Sequence, residues 1–333
     1  MDFREIENVR RTVEWPTLAL TVLIYGMWFA ATYFWRALPW PALVALGGVS
    51  VAWQMSLQHE IIHNHPTRWR RINRALGTWP LAIWLPFEIY RITHLQHHND
   101  VRLTDPLEDP ESYYCTPEQW RALGPLGRGI SRAQSTLLGR MLVGPAWAMT
   151  RFWAGEASLI ARGDLRHGAI AVRHLIQTAL VLAWAVGVCG MPFWLYFWAF
   201  AYLGTSLALI RSYAEHRAEA EVERRTAIVE DSWLLGPLFL FNNLHVVHHL
   251  RASLPWYEIP RWYRLNRDAV LIRNGGLVYR SYFDVALRYL LTPHHVPVHP
   301  AQSDPGVPVV AVVFPIAAAA AVYAGEAVDH LNA

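Results

Sequence analysis

Histidine is the residue type whose number and spacing in this sequence point to chemistry. The chain has 333 residues and 16 histidines, and eight of the histidines fall into three short groups. Residues three or four positions apart share one face of a helix, so each group would present its imidazoles to one side. The groups are His59 with His63, His94 with His97 and His98, and His245 with His248 and His249.

This set of imidazoles predicts a site for two metal ions. Imidazole suits zinc, copper, iron and nickel, and one zinc ion takes only about three or four ligands. Eight neutral imidazoles brought together without metal would bury many nitrogens that need partners. The two cysteines, Cys115 and Cys189, are far apart and favour neither a disulfide nor a thiolate site. An all-histidine pair of metals therefore indicates iron and oxygen chemistry.

His216 is predicted to be a ninth ligand, because it directly follows the last long apolar stretch before the third group. The alternative is a hydrogen-bonded interfacial histidine. His65 lies two positions after His63, so on a continuing helix it points elsewhere and is not expected to bind metal. His294, His295 and His299 lie among prolines in a predicted loop, and no histidine group is near His167, His174 or His330.

Carboxylates lie beside the histidine groups and are candidates for orienting them. A metal-bound histidine usually donates its second ring N–H to a carboxylate or carbonyl. Glu60, Asp105, Asp109 and Glu215 are therefore predicted to include such partners. The alternative for each is a solvated loop acid.

The elements that must position these residues are apolar helices. Hydrophobic residues make up 53% of the chain and charged residues 17%, with 17 tryptophans, which suits a membrane protein with an interfacial region. The predicted fold is all-α and integral to the membrane, with two transmembrane helical hairpins. The spans are expected near 17–35, 42–57, 170–189 and 192–210. A fifth span at 307–323 is weakened by Pro308 and Pro315.

Residues 1–333 are predicted to form a single membrane-embedded domain. Two stretches, 76–86 and 141–152, are apolar but too short to span, and are expected to be interfacial or re-entrant. The segment 1–15 is expected to be cytoplasmic and is charged, without the apolar core of a cleavable signal. The sequence leaves the membrane association of the tail, 301–333, open.

Arginine placement predicts the topology. Every basic residue is arginine, and the residues before the first span and between 58 and 168 carry most of them, whereas the first hairpin turn holds only Arg36. The segments 1–15, 58–168 and 211–300 should therefore share the cytoplasmic side and form a helical cap that holds every histidine group. The net charge of +3 is too small to indicate nucleic-acid binding.

The order of the groups relative to the hairpins resembles the membrane fatty acid desaturase family, the histidine-box di-iron desaturases and hydroxylases. The resemblance covers most of 15–260. The stretches 103–106 (LTDP) and 108–111 (EDPE) resemble bacterial members and the related alkane hydroxylases, and His216 resembles the position that supplies the extra histidine ligand. The acyl-CoA branch has an asparagine four residues before that histidine. Ser212 stands there in this chain, so a water-mediated asparagine contact is not carried over.

The resemblance implies two iron ions, O2 as co-substrate and a tunnel for the alkyl or acyl chain of a lipid. Electrons would come from a separate donor protein of the ferredoxin, rubredoxin or cytochrome type. The box pattern favours a fatty acid (acyl-lipid) desaturase, while a lipid or alkane hydroxylase with the same centre stays open. The sequence does not give the chain length, head group or regiochemistry of the substrate, nor the oligomeric state.

Two other classes of function fit part of the pattern. His59 and His63 fit the His-Glu-x-x-His pattern of a zinc metalloprotease with Glu60 as base, but that reading leaves the other two groups unexplained. A metal transporter would carry its ligands along a path in mid-membrane rather than at span ends on one side. Arg68, Arg70, Arg71 and Arg74 could hold an anionic head group, or simply face lipid phosphates.

Overall fold

The computed structural model of the chain describes residue 3 and residues 13–300. The described part is mostly helical, as predicted. The expected fifth span at 307–323, the tail 301–333 and most of the segment 1–15 lie outside the described residues.

Within the described residues, four helices are long and apolar enough to cross a membrane, which confirms the prediction of four spans. The second runs to Ile62, further than the predicted span, so that His59 lies in its last turn and His63 caps it. The third and fourth each contain a π-helical section, at Ala183–Val188 and Phe197–Tyr202. The first two spans are Trp15–Tyr33 (α1) and Trp40–Ile62 (α2). The third, Leu165–Val188, consists of α9 (Leu165–Leu182) and its π-helical end. The fourth, Phe193–Glu215, consists of α10 (Phe193–Tyr196), the second π-helical section and α11 (Leu203–Glu215).

The two hairpin turns lie at one end of the spans and contact each other. Proline in the first turn of α1 and of α2 suits a helix start, where a backbone N–H has no partner within the helix. Gly190, in the turn after the third span, adopts a left-handed φ of 62°. Arg36, from the first turn, donates hydrogen bonds to the carbonyls of Cys189 (3.1 Å) and Gly190 (3.2 Å). The guanidinium thereby ties the two hairpins together.

Close packing of α2 against α11 brings their far ends together. A Cβ on Gly204 would lie 2.5 Å from the Cβ of Val51, and a Cβ on Gly48 would lie 2.7 Å from the side chain of Leu203. Small residues let helix backbones approach this closely in a membrane. The polar ends of the two helices, at Ile62 and Glu215, therefore meet and deliver their histidines to one place.

The apolar stretch 76–86 is largely non-helical and packs against the spans. Side chains of the spans donate to its carbonyls: Tyr196 Oη to Leu81 O at 2.8 Å, and Gln54 Nε2 to Trp79 O at 2.8 Å. Irregular backbone at membrane depth requires such internal partners. The stretch 141–152 is helical instead and falls in two of the helices that connect the hairpins.

Shorter elements join the spans and carry the second and third histidine groups. The helices are Arg70–Gly77 (α3), Phe87–His97 (α4), Pro117–Ala122 (α5), Pro125–Gln134 (α6), Leu137–Leu142 (α7), Gly144–Ala161 (α8), Leu235–Leu238 (α12), His245–Leu250 (α13), Ile259–Arg273 (α14) and Tyr282–Tyr289 (α15). Short 3₁₀ turns occur at Asp100–Arg102 and Val222–Arg224. Ile228–Val229 (β1) pairs in parallel with Val278–Tyr279 (β2).

Candidate metal centre

The histidines are carried at the ends of helices. His59 lies in the last turn of α2 and His63 is the residue that caps it. The second group occupies the end of α4, and the third begins α13. His216 is the first residue after α11, where the backbone becomes extended (φ −134°, ψ 143°) and turns the ring away from the helix. Helix ends fix the backbone while leaving the rings free to converge.

The structure brings all nine sequence-predicted histidines into two adjoining groups. In each group, the possible ligand atoms lie within 4.8 Å of one another. Neither group copies a sequence cluster, because His97 separates from His94 and His98, and His248 separates from His245 and His249. The five-histidine group contains His59, His63, His94, His98 and His248, and the four-histidine group contains His97, His216, His245 and His249.

The Nε2 atoms point at one another inside each group. In the five-histidine group, His98 Nε2 lies 3.0 Å from His94 Nε2 and 2.9 Å from His248 Nε2. In the four-histidine group, His216 Nε2 lies 3.1 Å from His97 Nε2 and 3.0 Å from His245 Nε2. Several ring nitrogens that face a common point form the donor set that a divalent metal ion binds.

Carboxylates fix the protonation of two of the rings. Glu111 Oε1 lies 2.9 Å from His94 Nδ1, and Asp109 Oδ1 lies 2.9 Å from His97 Nδ1. An ionised carboxylate only accepts, so each Nδ1 carries the proton and, in the neutral ring, each Nε2 keeps a bare lone pair directed into its group. Asp109 is itself held by the backbone N–H groups of Thr104 and Glu111.

The five-histidine group also contains an unsatisfied nitrogen. His59 is fully buried, and its Nε2 has no hydrogen-bond partner in the described part of the chain. A buried polar atom without a partner is costly unless something else occupies the position it faces. A metal ion bound by this group would satisfy the nitrogen, so the donor set and the burial both fit a metal site.

Electrostatics keep most of the rings neutral. Burial, and the neighbouring histidines with it, lower the pKa of His63, His98, His216, His245 and His248. Burial also lowers the pKa of His94. His97 differs, because the charges of Glu111 and Asp109 outweigh its burial and raise its pKa to about 9. Burial opposes ionisation of Glu111, but His97 and His94 outweigh it and hold the pKa of that carboxyl well below its usual range.

The four predicted orienting carboxylates have different partners. Asp109 contacts His97 as described, and Glu215 Oε1 lies 3.2 Å from His245 Nδ1 and 3.0 Å from Arg211 Nε. Asp105 instead accepts the backbone N–H groups of Leu107 and Glu108. Glu60 accepts the backbone N–H of Trp256 at 3.2 Å. Two of the four candidates, Asp109 and Glu215, thus lie against histidine rings, while Asp105 and Glu60 accept backbone N–H groups.

Sequence reasoning missed two residues that contact the clusters. Glu111 is two positions from Asp109 in the same acidic stretch, so the signal that selected Asp109 applied equally to it. The Asn242 amide lies 3.2 Å from His59 Nδ1, and its buried oxygen has no partner in the described part of the chain. Turning the amide by 180° would let that oxygen accept the His59 Nδ1–H, satisfying both groups and leaving His59 Nε2 bare.

The remaining described histidines, His65 among them, lie outside both groups. The His65 ring contacts Glu14 (Nδ1 to Oε1, 2.6 Å), and the hydrogen bond raises its pKa against the effect of burial. Three others have partners of their own: His167 with Glu156, His174 with the carbonyl of Ile83, and His294 with the hydroxyl of Tyr279. His330 lies outside the described residues.

One cavity borders the four-histidine group, and a second cavity shares part of its lining. The inner cavity, of about 340 Å³, is bounded by His216, Glu111 and Arg211 on the side of the clusters. The outer cavity, of about 450 Å³, shares the walls formed by Tyr113, Arg140 and Trp147 and extends to Glu156 and His167. Each falls in the range of about 300–1,000 Å³ typical of ligand pockets. Together they offer a path to the clusters that is lined mainly by apolar and aromatic groups.

The comparison with known families agrees with the site. The sequence model of the fatty acid desaturase family matches residues 34–283, which is more than two thirds of the chain and includes all nine clustered histidines. The chain therefore belongs to the fatty acid desaturase family. No curated protein matches the sequence.

Proposed function

We propose that this protein is an integral-membrane, oxygen-dependent di-iron oxidoreductase that desaturates the acyl chain of a lipid. The observation that carries the proposal is the convergence of nine imidazoles into adjoining groups of five and four, in a chain of the fatty acid desaturase family. Nine nitrogens exceed the ligand requirement of one ion and divide naturally between two.

In this proposal His59, His63, His94, His98 and His248 hold one iron ion, and His97, His216, His245 and His249 hold the other. When bound, iron at this centre supplies the activation of O2 that removes hydrogen from an unactivated C–H bond. The protein's own groups hold and orient the ligands. Asp109 and Glu111 keep the protons of His97 and His94 on Nδ1, so that Nε2 is available to the metal.

Substrate positioning falls to the cavities. His216 is the clustered histidine exposed to the inner cavity, so an alkyl chain lying there would pass beside the four-histidine group. Apolar walls exclude water and hold the chain in register, and this register selects the C–H bond that reacts. We further propose that electrons come from a separate donor protein and that the centre faces the cytoplasm, as the arginine distribution favours.

Product analysis tests the proposal. Membranes containing the protein would be incubated with O2, a reductant with a donor protein, and defined lipids, and the products analysed by mass spectrometry. Desaturation predicts an O2-dependent loss of two hydrogens that is abolished in His97→Ala. A gain of one oxygen would instead assign a hydroxylase. No O2-dependent product from any lipid, with iron bound, would contradict the proposal.

Metal analysis distinguishes the proposed oxidoreductase from a zinc metalloprotease. A metalloprotease that uses His59, Glu60 and His63 requires one zinc ion, and its Glu60 must be free to act as a base. In the structure the Glu60 carboxylate accepts the backbone N–H of Trp256. We therefore expect iron rather than zinc, and no cleavage of a protein substrate.

A further inference from the structure

Arg140 is a buried cation in the wall between the two cavities. It is 1% exposed and lies near the end of α7. Its guanidinium carbon is 3.3 Å from the ring centroid of Tyr113 and 5.5 Å from that of Tyr213. Its Nε donates to the carbonyl of Gln134 at 3.2 Å, whereas Nη1 is buried without a hydrogen-bond partner in the described part of the chain. Arg140 lines both cavities, and one donor of its guanidinium is unused.

The acids along the cavities already have partners. Asp109 and Glu111 bind histidine rings of the clusters. Glu156 lies 2.7 Å from His167, and Glu215 pairs with Arg211 at 3.0 Å. These carboxylates line one or both cavities, and no ion pair within residues 13–300 connects any of them to Arg140. The positive charge of Arg140 is therefore not neutralised by the cavity's own acids.

A second cation strengthens the positive character of this wall. Arg151, on α8, also lines both cavities and forms no ion pair with another described residue. Trp147 lies one helical turn before Arg151 and faces the same cavities. A buried charge is costly unless it is paired, so the unpaired guanidinium of Arg140, with the exposed Arg151 lining the same cavities, favours an anion from outside the chain. Guanidinium binds carboxylate and phosphate well because its fork matches their geometry.

We propose that Arg140, with Arg151 beside it, binds the oxyanion of the substrate: the carboxylate of a free fatty acid or the phosphate of a lipid. This inference rests on the proposed function for the role of the cavities as the substrate path. Arg140 and His216 both line the inner cavity, so the arginine and the four-histidine group border the same space. The polar end of the substrate is thus held inside the protein, and the oxidised carbon lies at a fixed distance from it.

A binding measurement tests this without turnover. The full chain in phosphatidylcholine nanodiscs would be titrated with radiolabelled palmitate, using palmitate, methyl palmitate and lysophosphatidate as competitors. The wild-type protein should bind palmitate at least tenfold more tightly than methyl palmitate. The Arg140→Gln variant should bind palmitate at least tenfold more weakly than the wild type, as expected for the loss of one charge-assisted hydrogen bond. Arg132→Gln is the matched control, because Arg132 is exposed and stacks on Trp120 at 5.4 Å. Its palmitate affinity should be unchanged.

The competitors identify the source of the oxyanion. Preference for palmitate assigns a carboxylate, and preference for lysophosphatidate, lost in the Arg140→Gln variant, assigns a lipid phosphate. The proposal is overturned if the wild-type protein binds palmitate and methyl palmitate equally and does not bind lysophosphatidate more tightly. This comparison uses only the wild-type protein, so it does not depend on a variant that folds. Arg140→Lys keeps the charge and should retain more affinity than Arg140→Gln. Iron content is measured separately. Arg140-dependent binding of the oxyanion by a chain that does not bind iron would reject the proposed function and leave this inference intact.

Discussion

Replacing Asp109 by asparagine is predicted to loosen metal binding in the four-histidine group. In the structure Oδ1 accepts from His97 Nδ1 and from the backbone N–H of Glu111, both at 2.9 Å, and Oδ2 accepts from the N–H of Thr104 at 2.8 Å. Asparagine has the same shape but one acceptor oxygen. If that oxygen stays with His97, the amide nitrogen faces the Thr104 N–H, donor against donor.

The size of the effect follows from two losses. The contact to His97 loses its charge assistance, and a buried N–H loses its acceptor, which costs about 1–3 kcal/mol. Changes to carboxylates that orient metal-bound histidines typically weaken metal binding by about 10–100-fold. We therefore expect Asp109→Asn to release one of two metal ions at a chelator concentration about 10–100-fold lower than the wild-type protein requires.

The assay is metal content after equilibration with graded chelator, measured by plasma mass spectrometry on the purified protein. Asp105→Asn is the matched control. Asp105 lies in the same loop, but it accepts only the backbone N–H groups of Leu107 and Glu108 among the described hydrogen bonds, so its metal retention should equal that of the wild type. Retention by Asp109→Asn indistinguishable from wild type would refute the role given to this carboxylate.

Two further substitutions separate structural residues from ligands. Gly204→Ala should lower the thermal midpoint, because the new Cβ would lie 2.5 Å from the Cβ of Val51 and overpacking costs about 1–3 kcal/mol. Gly26→Ala should not, because no atom of the described residues would lie within 4 Å of its new Cβ, and equal midpoints for the two variants would contradict the close helix contact. His65→Ala should destabilise the fold by about 3 kcal/mol by leaving Glu14 buried without its partner, yet keep full metal content; loss of one metal ion would show that His65 is a ligand.

The spans and the candidate ligands could both be proposed from the sequence because both depend on local patterns. Apolar length marks the helices, and the spacing of His59 and His63 marks a shared helix face. The division into groups of five and four was not predictable, because it depends on how α4 and α13 approach each other across the centre. His97 follows His94 by three positions yet belongs to the other group.

Partners of the ligands were harder to predict than the ligands themselves. Glu60 lies between two clustered histidines in sequence, but a helix turns it by about 100° from His59, and it meets Trp256 instead. Asp105 precedes a proline and accepts from its own loop, a local contact that competes with distant ones. Asn242 contacts His59 across 183 positions of sequence, and Arg140 reaches the cavity wall only because α7 packs against α11. Such contacts belong to the tertiary fold.

The metal content of the purified chain tests the central claim most directly. Wild-type protein reconstituted with ferrous iron should bind two iron ions per chain. His98→Ala and His245→Ala each remove one ligand from a different group, so each should lower the content toward one ion, and the double variant toward none. A single zinc ion per chain, or iron content that neither substitution changes, would contradict the assignment of nine histidines to a two-iron centre.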